Sequence, residues 1–225
     1  MTIPPALRLV AAAPRRPYAR TFEARRERIL ACAWEMIAER GGDGFSLAEL
    51  GERAGVAVRT IYNAFTDRDG VVAQAVATHY RSLFGDPAAE LAESRSLAES
   101  LAMIDTVVAE IVRVRGWAIT GAQMYFSART SPRIVDSLRA MPLLILKGWL
   151  RSAEADRRQL ALLGREEVMR SFANAQWALT SDWAAGRIDV AELAQAMKRN
   201  LIVLALAFGT TAGRAEGRRL GALLA

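Results

Sequence analysis

Residues 46–65 read SLAELGERAGVAVRTIYNAF, two short amphipathic segments around a glycine-centred turn. Ser46 stands immediately before the first apolar-periodic residue and Glu49 three positions later, so the spacing predicts a capping box in which each side chain reaches the other's backbone amide. Phe45 before the cap and Leu50 after it form the matching hydrophobic staple. In Ala54-Gly55-Val56 the glycine supplies the left-handed residue that a tight inter-helix turn demands. A second helix is predicted over 58–65. This is the grammar of a helix-turn-helix, whose second helix lies in a DNA major groove.

Helical geometry, about 100° per residue, gives that second helix a direction. With Ile61 at zero, Phe65 falls near about 40° and Val58 near about 60°, one narrow apolar stripe against the preceding helices. The opposite face carries Arg59, Thr60 and Asn63, with Tyr62 on the flank. Arginine can be bidentate to guanine and asparagine to adenine, threonine can meet a thymine methyl, and a tyrosine hydroxyl can reach phosphate. Any amphipathic surface helix shows polar residues outward. The register of box, staple, turn and stripe together separates this segment from an ordinary solvent face.

The chain has 225 residues, 52% of them hydrophobic, enough for one large domain or a small module joined to a larger one. Its single cysteine, Cys32, can make no intrachain disulfide and reads as a small buried hydrophobe. Prolines 4, 5, 14 and 17 interrupt any apolar signal region, and the apolar run 201–208 is far too short to span a bilayer. A soluble cytoplasmic protein that does not engage membranes is expected. The net charge is +6, and residues 1–28 hold seven arginines against two glutamates, so nearly all the excess precedes the helix-turn-helix. A Pro-rich basic arm over 1–20 is expected to be disordered alone and able to follow a phosphate backbone, with Arg20 at its end.

Helical periodicity dominates after residue 20 and no period-2 strand is present, which predicts an all-α fold. Helices are expected over 22–40, burying Phe22, Ile29, Ala33, Met36 and Ile37, and from a Thr66/Asp67 cap through Phe84. Gly85-Asp86-Pro87 marks a boundary between a module over 21–84 and a second domain over 85–212, with 213–225 as a tail. In the second domain helices are expected over 97–115, 117–129, 132–157, 165–186 and 189–209, with a kink or restart at Pro142. Asp189 and Glu192 repeat the capping box. Phe172, Leu179, Trp183, Met197, Leu201, Leu204 and Phe208 on the last two helices are read as a dimer contact, four helices around a twofold axis.

The stretch FSLAELGERAGVAVRTIYNAFTDRDGVV, above all Ala54-Gly55-Val56, Thr60, Tyr62, Phe65 and Arg68, resembles the N-terminal domain of TetR-family transcriptional regulators over roughly residues 22–84. The C-terminal part is similar only in helix number and order. The resemblance implies a dimeric repressor whose eighth and ninth helices pair the subunits and whose C-terminal domain holds a small-molecule pocket. It implies an N-terminal three-helix DNA-binding module, with Arg20, Ser46, Val58, Arg59, Thr60, Tyr62, Asn63 and Arg68 as the DNA-contact set. Ala57 departs from the Ser or Thr that often caps the recognition helix, Ala64 replaces a frequent His, and Asp67 and Asp69 add acidity beside Arg68.

The expected mechanism is a population shift. The empty dimer holds its recognition helices about one DNA turn, roughly 34 Å, apart on a near-palindromic operator. A ligand that prefers the other conformer swings the fourth helix, where His79 and Tyr80 lie, and misplaces them. Met103, Trp117, Met124, Phe126, Trp149, Phe172 and Trp177 are the apolar candidates for a hydrophobic effector's pocket, with Arg113 and Gln123 as possible polar contacts. An enzyme is disfavoured: there is one histidine and no nucleophile elbow, Walker loop, dinucleotide fingerprint or metal-ligand spacing, so no cofactor and no metal are expected. The remaining alternative is a helical DNA-binding or ligand-binding dimer without sequence-specific regulation.

Overall fold

The computed structural model describes residues 17–41, 44–84 and 94–224. Among these every regular element is a helix, and the one β-type pairing is an isolated bridge between Ala155 and Gly209. Helix α1 spans Pro17–Arg40, so the start expected at residue 22 moves back to a proline suited to a helix's first turn. The rest of the basic arm lies outside the described residues. Ile29, Ala33, Met36 and Ile37 are buried as expected, but Phe22 is 41% exposed because it sits two turns before the stripe that neighbouring helices cover. Cys32 is half-buried rather than fully enclosed, and burial together with Glu35 pushes its thiol pKa up.

Helix α2 (Leu47–Ala54) opens with the predicted box. The Ser46 amide donates to Glu49 Oε2 at 2.7 Å, and the Glu49 amide donates to Ser46 Oγ at 3.2 Å. Gly55 takes φ 65°, ψ 41°, and the Val56 amide returns to the Gly51 carbonyl at 2.9 Å. Helix α3 (Val58–Phe65) follows, with Ile61 and Phe65 buried. Arginines fasten the pair to its surroundings, among them Arg40 of α1, which bridges Glu49 at 3.0 Å. Arg53 bridges Glu39 at 2.7 Å and Glu35 at 3.1 Å, tying α2 to α1, and Arg28 Nε donates to the Ala54 carbonyl at 3.0 Å. The Arg26 guanidinium lies over the Phe65 ring at 5.2 Å. Helix α4 (Arg68–Phe84) is capped by Asp67, whose Oδ1 accepts from the Gly70 amide at 2.7 Å; Thr66 takes the positive-φ link instead of sharing that cap.

The C-terminal helices are α5 (Leu97–Arg113), α6 (Arg115–Phe126), α7 (Pro132–Leu150), α8 (Arg157–Leu163), α9 (Arg165–Ala184), α10 (Val190–Phe208) and α11 (Thr211–Ala222). Helix α4 packs on both α1 and α7 and so joins the two parts of the chain. Three features of these helices have identifiable causes. First, α7 runs through Pro142 without a restart. Proline leaves the Leu138 carbonyl without its helical donor, and the buried Trp177 indole donates to that oxygen at 3.2 Å. Second, α7 stops at Leu150, not near 157. The Asp156 amide donates to the Phe208 carbonyl at 2.7 Å and the Thr210 amide to the Glu154 carbonyl at 2.7 Å, ties that hold 151–156 in a non-helical path and set α8 apart. The two helices expected to be eighth and ninth are therefore α9 and α10. Third, most of the stretch expected as a tail belongs to helix α11. Thr210 caps α11, and Gly213 and Gly217 let it lie close: a Cβ on Gly213 would stand 2.2 Å from the Glu154 carbonyl oxygen, and one on Gly217 would stand 3.3 Å from Leu206 Cδ2.

Candidate nucleic-acid interface and effector cavity

The outward face of α3 is the one the helical wheel requires. Arg59, Tyr62 and Asn63 are exposed, Tyr62 by 52%, while Thr60 is half-buried and Ile61 and Phe65 close the inside. Val58 packs against the core with only part of its side chain reachable. Ala57 offers no side-chain cap; the Thr60 amide donates to the Ala57 carbonyl at 2.8 Å instead. Ser46 is exposed, but both its polar groups are engaged with Glu49. Arg68 is held by its own module: Nε donates to the Phe45 carbonyl at 3.0 Å and the guanidinium lies 5.1 Å from the Phe45 ring centre. That geometry gives Arg68 a bracing role first. Arg20 falls in α1, but its side chain lies outside the described residues.

A narrow cavity sits between α4, α5, α6, α7 and α9. His79 and Tyr80 face it from α4, Val107, Glu110 and Ile111 from α5, Trp117 and Ala118 from α6, Met141 from α7, and Trp177 and Thr180 from α9, with Val114 at the α5–α6 junction. Its free space is about 10 Å³, room for roughly one water. Of the pocket residues expected from sequence, only Trp117 and Trp177 line it. Trp149 and Phe172 are core, Met103 is half-buried against the core, and Phe126 is 54% exposed. Met124 and Gln123 line a separate open cleft of about 210 Å³ beside Arg40, Gly41, Thr120, Ser127 and Thr130. The size of a side chain in the sequence does not separate the wall of a cavity from the filling of a core. What the sequence did hold was the i, i+4 stripe Val107, Ile111 and the adjacent pair His79-Tyr80.

His79 is the centre of the cavity's electrostatics. It stacks on Trp34 with ring centres 3.6 Å apart at 18°, and Trp34 stacks on Trp117 at 4.7 Å and 27°. Burial lowers the His79 pKa to about 4, Arg113 adding to the effect and Glu110 opposing it, so the ring is neutral at pH 7. Burial likewise raises the Tyr80 pKa and keeps the phenol protonated. Glu110 is committed to Arg113 through two contacts of 2.7 and 2.5 Å. His79 Nε2, Tyr80 Oη and Trp117 Nε1 are buried without a hydrogen-bond partner among the described residues. A groove of about 220 Å³ on the far side of the stack, between α1 and α4, is lined by Trp34 and His79 among others.

The residues expected to pair subunits divide into two sets. Phe172, Trp183, Met197, Leu201 and Phe208 are buried within the chain itself, because α9 and α10 face α5, α7 and α11, which corrects their reading as an outward contact. Leu179 and Leu204 are half-buried, while Val203 on α10 is 60% exposed and Ala178 on α9 is exposed. Among the described residues no helix is long and apolar enough to cross a membrane, and no group of His, Cys, Asp and Glu is placed to hold a metal ion.

Residues 29–75 match the family model of bacterial regulatory proteins of the tetR family. No curated protein matches the sequence. Solved structures of similar fold include a TetR transcriptional regulator from a Rhodococcus species, with TM-score 0.59 and 14% identity over 81% of this chain and 96% of that one. A tetR-family regulator from Streptomyces coelicolor aligns with TM-score 0.55 and 22% identity over 90% of this chain and 87% of that one. FadR from Bacillus subtilis, solved in complex with stearoyl-CoA, aligns with TM-score 0.55 and 18% identity over 78% and 96%. At such identities the likeness is one of fold. The segment 29–75 and the helix-turn-helix geometry of α2 and α3 thus give this chain an N-terminal domain of the kind found in bacterial regulatory proteins of the tetR family, on a helical fold similar to that of the solved regulators.

Proposed function

We propose that the protein is a cytoplasmic, ligand-responsive repressor that binds a near-palindromic operator as a homodimer and is released from it by a small hydrophobic effector. The observation that carries this reading is the position of α4. It leaves the recognition helix after a two-residue link, and it presents His79 and Tyr80 to the buried cavity. A ligand that widens the cavity must displace α4 or its partners, and α4 bears the reading head. Two further ties transmit such a shift. Trp34 of α1 is stacked on His79 and Trp117, and Arg133 of α7 pairs with Asp67 at the start of α4. FadR of similar fold holds stearoyl-CoA, which supports a ligand in this architecture.

The cavity as it stands has room for about one water, far below the roughly 300–1,000 Å³ of typical ligand sites, so the ligand-bound form is a different conformer. That is the requirement of a switch: only a ligand that prefers one conformer shifts the balance. Selection of bound fragments from random DNA tests the reading. The expected outcome is an inverted repeat with half-sites about one helical turn apart. Salt-dependent binding with no sequence preference would instead establish a helical dimer that coats DNA without reading it.

A further inference from the structure

We propose that the cavity beside α4 takes an uncharged single-ring aromatic molecule bearing a hydrogen-bond acceptor, such as an aryl ketone or ester, with the Trp117 indole N–H and the Tyr80 hydroxyl as its donors. This rests on the reading of the cavity as the effector site.

Three observations converge on that class. The first is shape. Tyr80 and Trp117 meet edge to face with ring centres 5.4 Å apart, and His79 lies 6.1 Å from Trp117 and 6.5 Å from Tyr80. These rings already touch one another and form an aromatic wall, against which one flat ring can stack or pack edge-on once the cavity widens. Met141 is the flexible wall that can yield room.

The second is the pattern of unmet hydrogen bonds. Trp177 Nε1 is already given to the Leu138 carbonyl and Thr180 Oγ1 to the Gln176 carbonyl, so neither competes for a ligand. His79 Nε2, Trp117 Nε1 and Tyr80 Oη are buried with no partner among the described residues, and the neutral imidazole can either donate or accept there. Buried donors of this kind are rare in folded proteins, and a ligand oxygen relieves them. An indole N–H can only donate, so the complementary ligand atom is an acceptor.

The third is charge. No lysine or arginine lines the cavity, the His79 ring is neutral at pH 7, and Glu110 at the edge is neutralised by Arg113. An anion would be buried without a counter-charge, and a cation would have to pull Glu110 from its bidentate partner.

The test uses the full-length protein and three near-isosteric probes: acetophenone, benzoate and ethylbenzene. The readout is the indole N–H resonance of Trp117, assigned with Trp117→Phe, titrated by NMR. Acetophenone is expected to shift this resonance saturably, with benzoate and ethylbenzene each weaker by roughly tenfold. In Tyr80→Phe, acetophenone should weaken by about threefold to tenfold while ethylbenzene is unchanged. Benzoate binding as tightly as acetophenone overturns the uncharged class, and ethylbenzene doing so overturns the acceptor; in both cases the cavity remains the effector site. If none of the probes moves Trp117 while the protein stays folded, the effector-site reading itself falls.

Discussion

Arg59, Tyr62 and Asn63 project from α3 because Ile61 and Phe65 on its other face are locked into the module. Their chemistry assigns different roles. Arg59→Ala and Asn63→Ala should each cost about 1–3 kcal/mol on the selected operator and relax preference at one position of each half-site. Tyr62→Phe should weaken binding to all sequences alike, and competition across operator variants separates the two patterns. Arg68→Ala, in contrast, should lower thermal stability, since that guanidinium braces Phe45. His79 gives a pH signature. Its folded pKa of about 4 lies below the ordinary 6.5, so the unfolded chain binds more protons between these values. The neutral ring's contribution is therefore complete above about pH 6.5 and is lost as pH falls toward 4. Because His79 is only half-buried, solvent screening reduces this to about 1–2 kcal/mol. Denaturant titrations of wild type and His79→Phe should diverge across that window; parallel curves would refute the role.

At the scale of elements, α7 continues through Pro142 without a restart, and a residue from another helix supplies the donor that the proline withholds from the Leu138 carbonyl. Trp177→Phe leaves the Leu138 carbonyl buried and unpaired, and should cost about 2–4 kcal/mol including the lost ring. Pro142→Ala returns the helical amide to Leu138, so the same tryptophan change should cost less in that background. A double-mutant cycle by chemical denaturation measures the coupling, expected near about 1 kcal/mol, and additivity would remove the explanation. Element starts were far more legible than ends. The boxes at Ser46/Glu49 and Asp189/Glu192 formed as spelled, because capping is satisfied within four residues. The end of α7 was not legible, since the ties holding 151–156 come from Phe208 and Thr210, more than fifty positions away. Helix α11 was hidden for a related reason: glycines every fourth residue lower helix propensity, and only contact with α10 and Glu154 gives them a use.

For the whole molecule, pairing through α9 and α10 is a proposal that now has a cleaner test. Leu204 is packed against the core, so a charge there would confound pairing with folding. Val203 is 60% exposed, and Val203→Glu should give a folded monomer by sedimentation with operator affinity reduced by roughly a hundredfold or more, because one module reads only half a site. An unchanged dimer would place the interface elsewhere. The sequence by itself determined the all-α class, the helix-turn-helix, the inward stripe of Ile61 and Phe65 and the outward face at Arg59, Tyr62 and Asn63. Those features follow from caps, turns and 3.6-residue periodicity, which act between near neighbours. Tertiary structure alone decided that His79 and Tyr80 rather than Trp149 and Phe172 bound the cavity, that Arg68 turns inward, and that the apolar stripe expected to join two subunits is largely spent inside one. The physical reason is common to all three. Periodicity specifies which face of a helix is apolar, but only the packing of helices far apart in the chain determines whether that face meets core, cavity or a second subunit.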